Sequence, residues 1–130
     1  AQPAKKEEPK KEAPAALAED GMGLITIDQF FQTSLKVGTI IEVEEVPKSK
    51  KLFKMQVDVG EDRPRQILAG IKEFYSADQL LNTQACVVAN LKPAKLMGLL
   101  SEGMLLAAKD ENGLCLVRPE KPRSAGAGIG

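Results

Sequence analysis

Residues 53–59 read Phe53-Lys54-Met55-Gln56-Val57-Asp58-Val59, a stretch in which apolar and polar side chains alternate. Successive side chains of a β-strand point to opposite faces of the sheet, so this alternation predicts a strand with its apolar set in a core and its polar set in solvent. Turn-forming residues occupy positions 60–64, and residues 65–69 are again apolar enough to form a strand. The sequence therefore predicts a β-hairpin over residues 53–69.

Further strands and two short helices are predicted on both sides of this hairpin. Capping-box spacing, with Thr26 three residues before Gln29 and Ser76 three residues before Gln79, marks the starts of the helices. The other predicted strands are, in chain order, residues 37–46, 85–89, 103–108 and 114–117, the last two joined by an Asn-Gly turn. A helix between the third and fourth strands is typical of the oligonucleotide/oligosaccharide-binding (OB) barrel. We therefore predict an all-β protein: a five-stranded OB-fold barrel with short helices and a C-terminal extension.

The first 23 residues differ in composition from the rest of the chain. They are almost entirely Ala, Lys, Glu and Pro, without apolar periodicity. A segment of this composition cannot bury enough apolar surface to offset its conformational entropy. We therefore predict two regions, a disordered Lys/Glu/Ala/Pro tether at residues 1–23 and a binding domain with the OB fold at residues 24–130.

The composition excludes several kinds of chemistry. The 130 residues contain no histidine, so a Ser-His-Asp triad, a Cys-His pair and zinc sites that need histidine are impossible. Two cysteines, Cys86 and Cys115, are too few for a structural zinc site and lie in apolar stretches, where free core thiols are expected. We expect no cofactor and no metal. No apolar run is long enough to cross a bilayer and no signal peptide opens the chain, so we expect a cytoplasmic protein without a membrane partner.

Charge is balanced overall but unevenly distributed. The 18 basic residues match the 18 acidic ones in number, yet two stretches, Val46–Lys54 and Asn90–Gly98, contain lysines and no acid. In an OB barrel the second and third strands and the neighbouring loops form the usual ligand face, which both stretches can border. Lysines there would neutralise phosphates, with an affinity that falls with salt. The alternative is a solvated rim, and Phe53 and Met104 either belong to the core or offer surfaces for an unstacked base.

Seven segments, taken in order, resemble one family. They are Ser34–Ile40, Val46–Leu52, Val57–Gly60, Arg65–Ile71, Val88–Pro93, Lys95–Gly98 and Ser101–Ala108. Together they are similar to the tRNA-binding domain at the C-terminus of bacterial methionyl-tRNA synthetase. Related domains occur as free-standing tRNA-binding proteins and in endothelial monocyte-activating polypeptide II. The resemblance covers residues 24–118, and no nucleotide-binding signature of a synthetase body is present.

The resemblance implies an OB fold, homodimerisation through C-terminal residues, and non-catalytic binding of tRNA by its shape. The methionyl-tRNA synthetase catalytic region, in cis or in trans, is the implied protein partner. Lys51 and Lys54 are expected to face the tRNA backbone, and Ser101 and Met104 form the family's Ser-x-x-Met motif. The full set of predicted tRNA-binding residues is Lys36, Lys50, Lys51, Lys54, Lys92, Lys95, Ser101 and Met104.

Two other functions fit the same sequence. One is a dimerisation module whose RNA affinity is incidental, and the other is a peptide-binding chaperone similar to CsaA, which shares this barrel. An enzymatic function has the least support, because no nucleophile with a base, paired carboxylates or phosphate-binding loop stands out.

Overall fold

The computed structural model describes residues 23–130, so the predicted tether at residues 1–23 lies, except for Gly23, outside the described residues. The chain divides into two compact units. Among the described residues, the first contains residues 23–33 together with Gly130, and the second contains Ser34–Ile129. Among the described residues, no helix has the length and apolar character that crossing a membrane requires.

The first unit contains one short helix, α1, at Ile27–Phe30. The Thr26 side chain accepts a hydrogen bond from the backbone N–H of Gln29, and the Gln29 side chain accepts one from the backbone N–H of Thr26. This is the predicted capping box, which satisfies two of the free N–H groups at the helix start. The rings of Phe30 and Phe31 pack edge to face, with centroids 5.1 Å apart.

The second unit is built from strands and one further short helix. Their bounds are β1 Leu35–Glu45, β2 Phe53–Asp58, β3 Arg65–Ala69, α2 Ala77–Leu80, β4 Gln84–Val88, β5 Ala94–Leu96, β6 Leu99–Ser101, β7 Met104–Leu105, β8 Ala107–Asp110, β9 Gly113–Leu116 and β10 Gly128–Ile129. The helix α2 begins at the predicted capping box of Ser76 and Gln79 and stands between β3 and β4, as expected.

The main sheet has the strand order β3-β2-β1-β4-β7, with β10 added to β1. All of its pairings are antiparallel. Its edge strands β3 and β7 contact each other, and just before β7 the N–H of Glu102 donates to the carbonyl of Gln66 in β3 at 2.7 Å. The sheet thereby closes almost completely on itself. The prediction of an all-β barrel with the OB arrangement is confirmed.

The barrel interior is filled by the apolar residues that the alternation predicted. Phe53, Met55, Val57 and Val59 are all at most 2% exposed. Of the two alternatives left open for Phe53, the core position is the correct one. On the neighbouring strand β1, the packing leaves no room for a side chain at Gly38, because a Cβ there would lie 2.6 Å from Cγ1 of Val57.

Two regions differ from the sequence-based expectations. The sequence predicts no strand between residues 89 and 103, but residues 94–101 form a hairpin of two three-residue strands, β5 and β6. The single strand expected over residues 103–108 is divided into β7 and β8, because β7 belongs to the barrel and β8 pairs with β9 in a separate sheet. Strands of two or three residues, such as β5, β6 and β7, are too short for the alternating pattern from which strands are recognised.

The two cysteines have different environments. Both are free thiols, but only Cys86 is buried and Cys115 is exposed, so the expectation of two core thiols is wrong for Cys115. Burial raises the pKa of the Cys86 thiol, because a low-dielectric interior disfavours the thiolate. Cys115 lies in β9, which pairs with β8 in a two-stranded sheet that is separate from the main sheet.

Candidate nucleic-acid interface

The β5–β6 hairpin (residues 94–101) lies along the outer edge of β3. The backbone N–H of Leu68 donates to the hydroxyl oxygen of Ser101 at 3.0 Å, and the side-chain amide of Gln66 donates to the carbonyl of Leu100 at 2.8 Å. These bonds give hydrogen-bond partners to the Leu68 N–H and the Gln66 side chain, which are not paired with a neighbouring strand. The hairpin thus extends the outward surface of β2 and β3, where the side chains of Gln56 and Gln66 approach within 3.5 Å.

The β1–β2 loop presents the first lysine cluster. The hydroxyl oxygen of Ser49 accepts hydrogen bonds from the backbone N–H groups of Lys51 and Leu52, both at 3.1 Å. The carbonyl of Lys51 accepts one from the N–H of Lys72 at 3.0 Å. This bonding fixes the backbone of the loop while its lysines remain in solvent. Neither Lys50 nor Lys51 forms an ion pair with a carboxylate of residues 23–130.

Lys54 is held differently from the loop lysines. It lies on β2 directly opposite Glu44 of β1, and its Nζ is 2.9 Å from a carboxylate oxygen of Glu44. Its side chain is 28% exposed and that of Glu44 is 52% exposed. An ion pair this open to solvent is weak, so the ammonium group of Lys54 can exchange partners.

The second lysine cluster belongs to the hairpin and the residues before it. Lys95 lies on β5 opposite Leu100, and Lys92 lies two residues before β5. Both are exposed. Within the described part of the chain neither one has a carboxylate partner.

The strand directions indicate toward which end of β3 each lysine cluster lies. Glu102 bonds to Gln66 and Ser101 bonds to Leu68, so β6 runs antiparallel to β3 and the hairpin extends toward the Ala69 end of β3. Ala69 pairs with Phe53, two residues after Lys51. The hairpin lysine Lys95 and the loop lysine Lys51 therefore lie toward the same end of β3. We call the surface formed by the β1–β2 loop, the outer face of β2 and β3 and the β5–β6 hairpin the lysine face.

Lys36 is not part of the lysine face. It lies near the start of β1, paired with Val87 on one side and Gly128 on the other. Eight residues of strand, about 26 Å of extended chain, separate it from Glu44, the partner of Lys54. Lys36 instead lies close enough to Glu61 to lower the pKa of that carboxyl group, although the Arg65 hydrogen bond to Glu61 lowers it more.

Ser101 and Met104 have different environments from each other. Ser101 is 6% exposed, and its hydroxyl donates to the carbonyl of Gly103 at 3.1 Å while accepting from Leu68. Met104 in β7 is 46% exposed, so it is a surface residue and not a core residue. The hydroxyl of Ser101 therefore shapes the turn that leads to Met104.

A network of arginines and glutamates borders the lysine face and was not found from the sequence. Arg63 donates to both carboxylate oxygens of Glu102, at 3.1 and 2.6 Å. Arg65 is bound in the same bidentate way to Glu61, at 2.8 and 2.7 Å, and also donates to the carbonyls of Ala89 and Glu102. The pairing partners Arg63 and Glu102 are 39 residues apart in the chain, so no local pattern indicates them.

This network lowers the pKa of Glu102 and fixes the barrel closure. Hydrogen bonds from the Arg63 guanidinium and then from the backbone N–H of Gln66 hold the pKa of Glu102 at about 2, compared with an ordinary value of 4.5. Because a glutamate carboxylate neutralises each guanidinium group through two hydrogen bonds, Arg63 and Arg65 add little net positive charge to this surface. The positive charge of this surface is carried by the lysines.

The chain is similar to proteins of known family. Residues 35–128 match the family described as "Putative tRNA binding domain". The chain is 51% identical over 108 residues to the methionine–tRNA ligase of Methanococcus aeolicus, covering 83% of this chain and 16% of the relative. It is 48% identical over 103 residues to the methionine–tRNA ligase of Helicobacter pylori, covering 79% of this chain and 16% of the relative. The chain thus spans about a sixth of the length of these relatives.

Two solved structures share the fold. The MetRS-related protein of Pyrococcus horikoshii superposes with a TM-score of 0.77 at 34% identity, covering 83% of this chain and 99% of that chain. The CsaA chaperone protein of Picrophilus torridus superposes with a TM-score of 0.76 at 27% identity, covering 82% of this chain and 100% of that chain.

Proposed function

The chain belongs to the tRNA-binding domain family, which it matches over residues 35–128, and from this premise we propose that residues 24–130 form a non-catalytic module that binds tRNA by its shape. The module supports methionyl-tRNA synthetase activity by raising the local concentration of tRNA at a catalytic region joined in cis or associated in trans. The cytoplasm, where aminoacylation takes place, is its proposed location.

The observation that carries this proposal is the lysine face. Lys50, Lys51, Lys92 and Lys95 have no carboxylate partner among residues 23–130, and they stand on two segments that lie toward the same end of β3. Ammonium groups that are fully hydrated and unpaired release phosphate counterions on binding, which favours association with a polyanion. Lys54 joins them when it leaves Glu44.

The residues of the lysine face favour contacts to the RNA backbone over base reading. Within the described residues the aromatic side chains are Phe30, Phe31, Phe53, Phe74 and Tyr75, of which Phe53 is buried in the barrel. A row of aromatic side chains for stacking successive bases is therefore missing from β2 and β3. Phosphate contacts at fixed spacing recognise the shape of a folded RNA.

A charge-reversal experiment tests the proposal. We expect the double variant Lys51→Glu and Lys54→Glu to lose at least about tenfold in tRNA affinity and to lower the salt slope by roughly 2, since each lysine neutralises about one phosphate. The control is Lys109→Glu, which reverses a charge on the β8–β9 hairpin outside the lysine face. Equal affinities of the double variant and the wild type in a salt titration would refute RNA binding by this face. The affinity is expected to be insensitive to changes in the anticodon.

We further propose that the module is a homodimer. In addition to the C-terminal residues that the resemblance implies, the first unit exposes Leu24, Ile25, Ile27 and Phe31, each at least 48% exposed, and such apolar side chains favour a protein contact. Replacing Leu24 and Ile27 with Asp tests this by sedimentation: a shift to monomers is expected, and an unchanged mass contradicts it. Truncation after Arg118 is a poorer test, because Gly126 and Ala127 are hydrogen-bonded to Val37 of β1. If the Leu24→Asp and Ile27→Asp double variant is monomeric and binds tRNA as tightly as the wild type, the module does not act mainly through dimerisation.

Peptide binding of the kind found in the CsaA chaperones is the second candidate function. The similarity of the barrels supports it, but the higher sequence identity to methionine–tRNA ligases favours tRNA. A fluorescent unfolded polypeptide that competes with tRNA for the purified chain would favour the chaperone function. If the purified chain binds tRNA but does not bind the polypeptide at the same protein concentration, the chaperone function is excluded.

A further inference from the structure

The tip of the β5–β6 hairpin has an unusual residue at its turn. Leu96 pairs with Leu99, which leaves Met97 and Gly98 as a two-residue turn with φ values of 53° and 78°. Positive φ at both positions defines a type I′ turn, for which Asn-Gly is the favoured sequence. A methionine in the left-handed region is sterically disfavoured, since its Cβ approaches the backbone. Met97 thus occupies a position whose backbone conformation favours asparagine or glycine.

The same side chain is among the exposed apolar groups of the lysine face. Met97 is 51% exposed, and Leu96 and Leu100 next to it are 41% and 42% exposed. The hairpin therefore ends in an apolar tip. Lys95, directly opposite Leu100, and Lys92, two residues before β5, lie next to this tip and have no carboxylate partner within residues 23–130.

An apolar tip above unpaired cations matches the chemistry of an unstacked nucleotide. The lysines attract phosphates, and the flat face of a base offers a complementary surface to a flexible, polarisable thioether. An apolar protein partner would use the apolar tip but would give the unpaired lysines no anionic ligand. The charge around the tip thus favours RNA as its occupant.

We propose that Met97 at the tip of the β5–β6 hairpin packs against an unstacked base of the bound RNA. The inference rests on the proposed function and adds to it a base contact that phosphate binding alone does not require. Met97 is then a specificity-determining residue that favours RNA regions in which a base is already unstacked, such as loops and the junctions of a folded tRNA.

The variant Met97→Asn tests the inference without weakening the hairpin, because it creates the favoured Asn-Gly turn. We expect its tRNA affinity to fall about 3- to 10-fold. Its salt slope is expected to match that of the wild type, since no charge is removed. The conservative variant Met97→Leu, which keeps an apolar side chain, is expected to retain affinity within about twofold of the wild type. Equal affinities of wild type and Met97→Asn would overturn the inference.

Chemical probing of the tRNA supplies a readout that a purely structural role does not change. Dimethyl sulfate reactivity of the bases is measured with and without protein, and we expect one or two bases to be protected by the wild type and not by Met97→Asn. An identical protection pattern for both proteins overturns the inference. So does a change of oligomeric state in Met97→Asn, which would identify the tip as a contact between protein chains. If the wild type itself fails to bind tRNA at low salt, the proposed function fails, and the inference with it.

Discussion

Replacing Glu44 with Gln is expected to raise the affinity of the module for tRNA. Glu44 is the carboxylate that holds Lys54, with 2.9 Å between the charged atoms. In the free protein Lys54 must leave this partner before it can bind a phosphate. The glutamine is nearly the same size and removes only the charge, so the barrel is preserved while the ammonium group of Lys54 becomes available.

The size of the gain follows from the exposure of the pair. With 28% of the Lys54 side chain and 52% of the Glu44 side chain exposed, the pair is of the surface type, which typically contributes about 0.2 to 1 kcal/mol. Removing that competition is therefore expected to increase tRNA affinity by a factor of roughly 1.4 to 5. The gain is expected to shrink at high salt, because the ions screen both the pair and the phosphate contact.

Fluorescence anisotropy of labelled tRNA at several salt concentrations measures the effect, and a double-mutant cycle isolates its cause. Glu44→Gln is compared in the wild type and in a Lys54→Gln background, with Glu111→Gln on the β8–β9 turn as a control for the change in net charge. We expect the gain to disappear when Lys54 is absent. An equal gain in both backgrounds would show that Glu44 acts only through its long-range repulsion of RNA, and would refute the idea that it occupies Lys54.

Two further predictions concern stability. Gly38→Ala is expected to cost roughly 1–3 kcal/mol of unfolding free energy, because the added Cβ would lie 2.6 and 2.7 Å from methyl groups of Val57 and Val87. Gly70→Ala, with no atom within 4 Å of the new Cβ, is expected to change the unfolding free energy little. Equal denaturation midpoints for both variants would contradict the packing argument. Glu102, with its pKa lowered to about 2 from 4.5, stabilises the fold above pH 4.5 and loses that contribution as the pH falls toward 2, so the unfolding free energies of wild type and Glu102→Gln are expected to converge on acidification. The lowered pKa of Glu102 corresponds to at most ~3 kcal/mol of unfolding free energy. Solvent around its 69%-exposed arginine partner reduces this contribution to roughly 1–2 kcal/mol. A stability difference between wild type and Glu102→Gln that does not change with pH would refute this prediction.

The barrel was predictable from the sequence where the pattern extends over several residues. The alternation in β2 places Phe53 in the core because every second residue of a strand faces the same side. Both capping boxes were also predictable, since their hydrogen bonds join residues only three apart. Local patterns of this kind require no knowledge of the tertiary structure.

The parts that the sequence did not reveal depend on contacts between distant residues. The β5–β6 hairpin has three-residue strands and a methionine in its turn, so neither strand alternation nor turn composition indicates it. The pairing of Lys54 with Glu44 follows from the β1–β2 register, which a bulge shifts between Ile40 and Glu42. The bidentate pairing of Arg63 with Glu102 likewise depends on barrel closure. The predicted tRNA contacts of the lysines, Ser101 and Met104 remain predictions.

The pairing of β10 with β1 has a consequence for how this unit can be joined to other proteins. Leu35, at the start of β1, lies directly opposite Ile129 of β10, so the chain enters and leaves the second unit at neighbouring points on one side of the barrel. A unit of this geometry can be inserted into a surface loop of a host protein with short connections, because the host need not bridge the width of the barrel. The same proximity makes the unit suited to circular permutation, in which a few added residues would link the two points and new ends could be opened elsewhere.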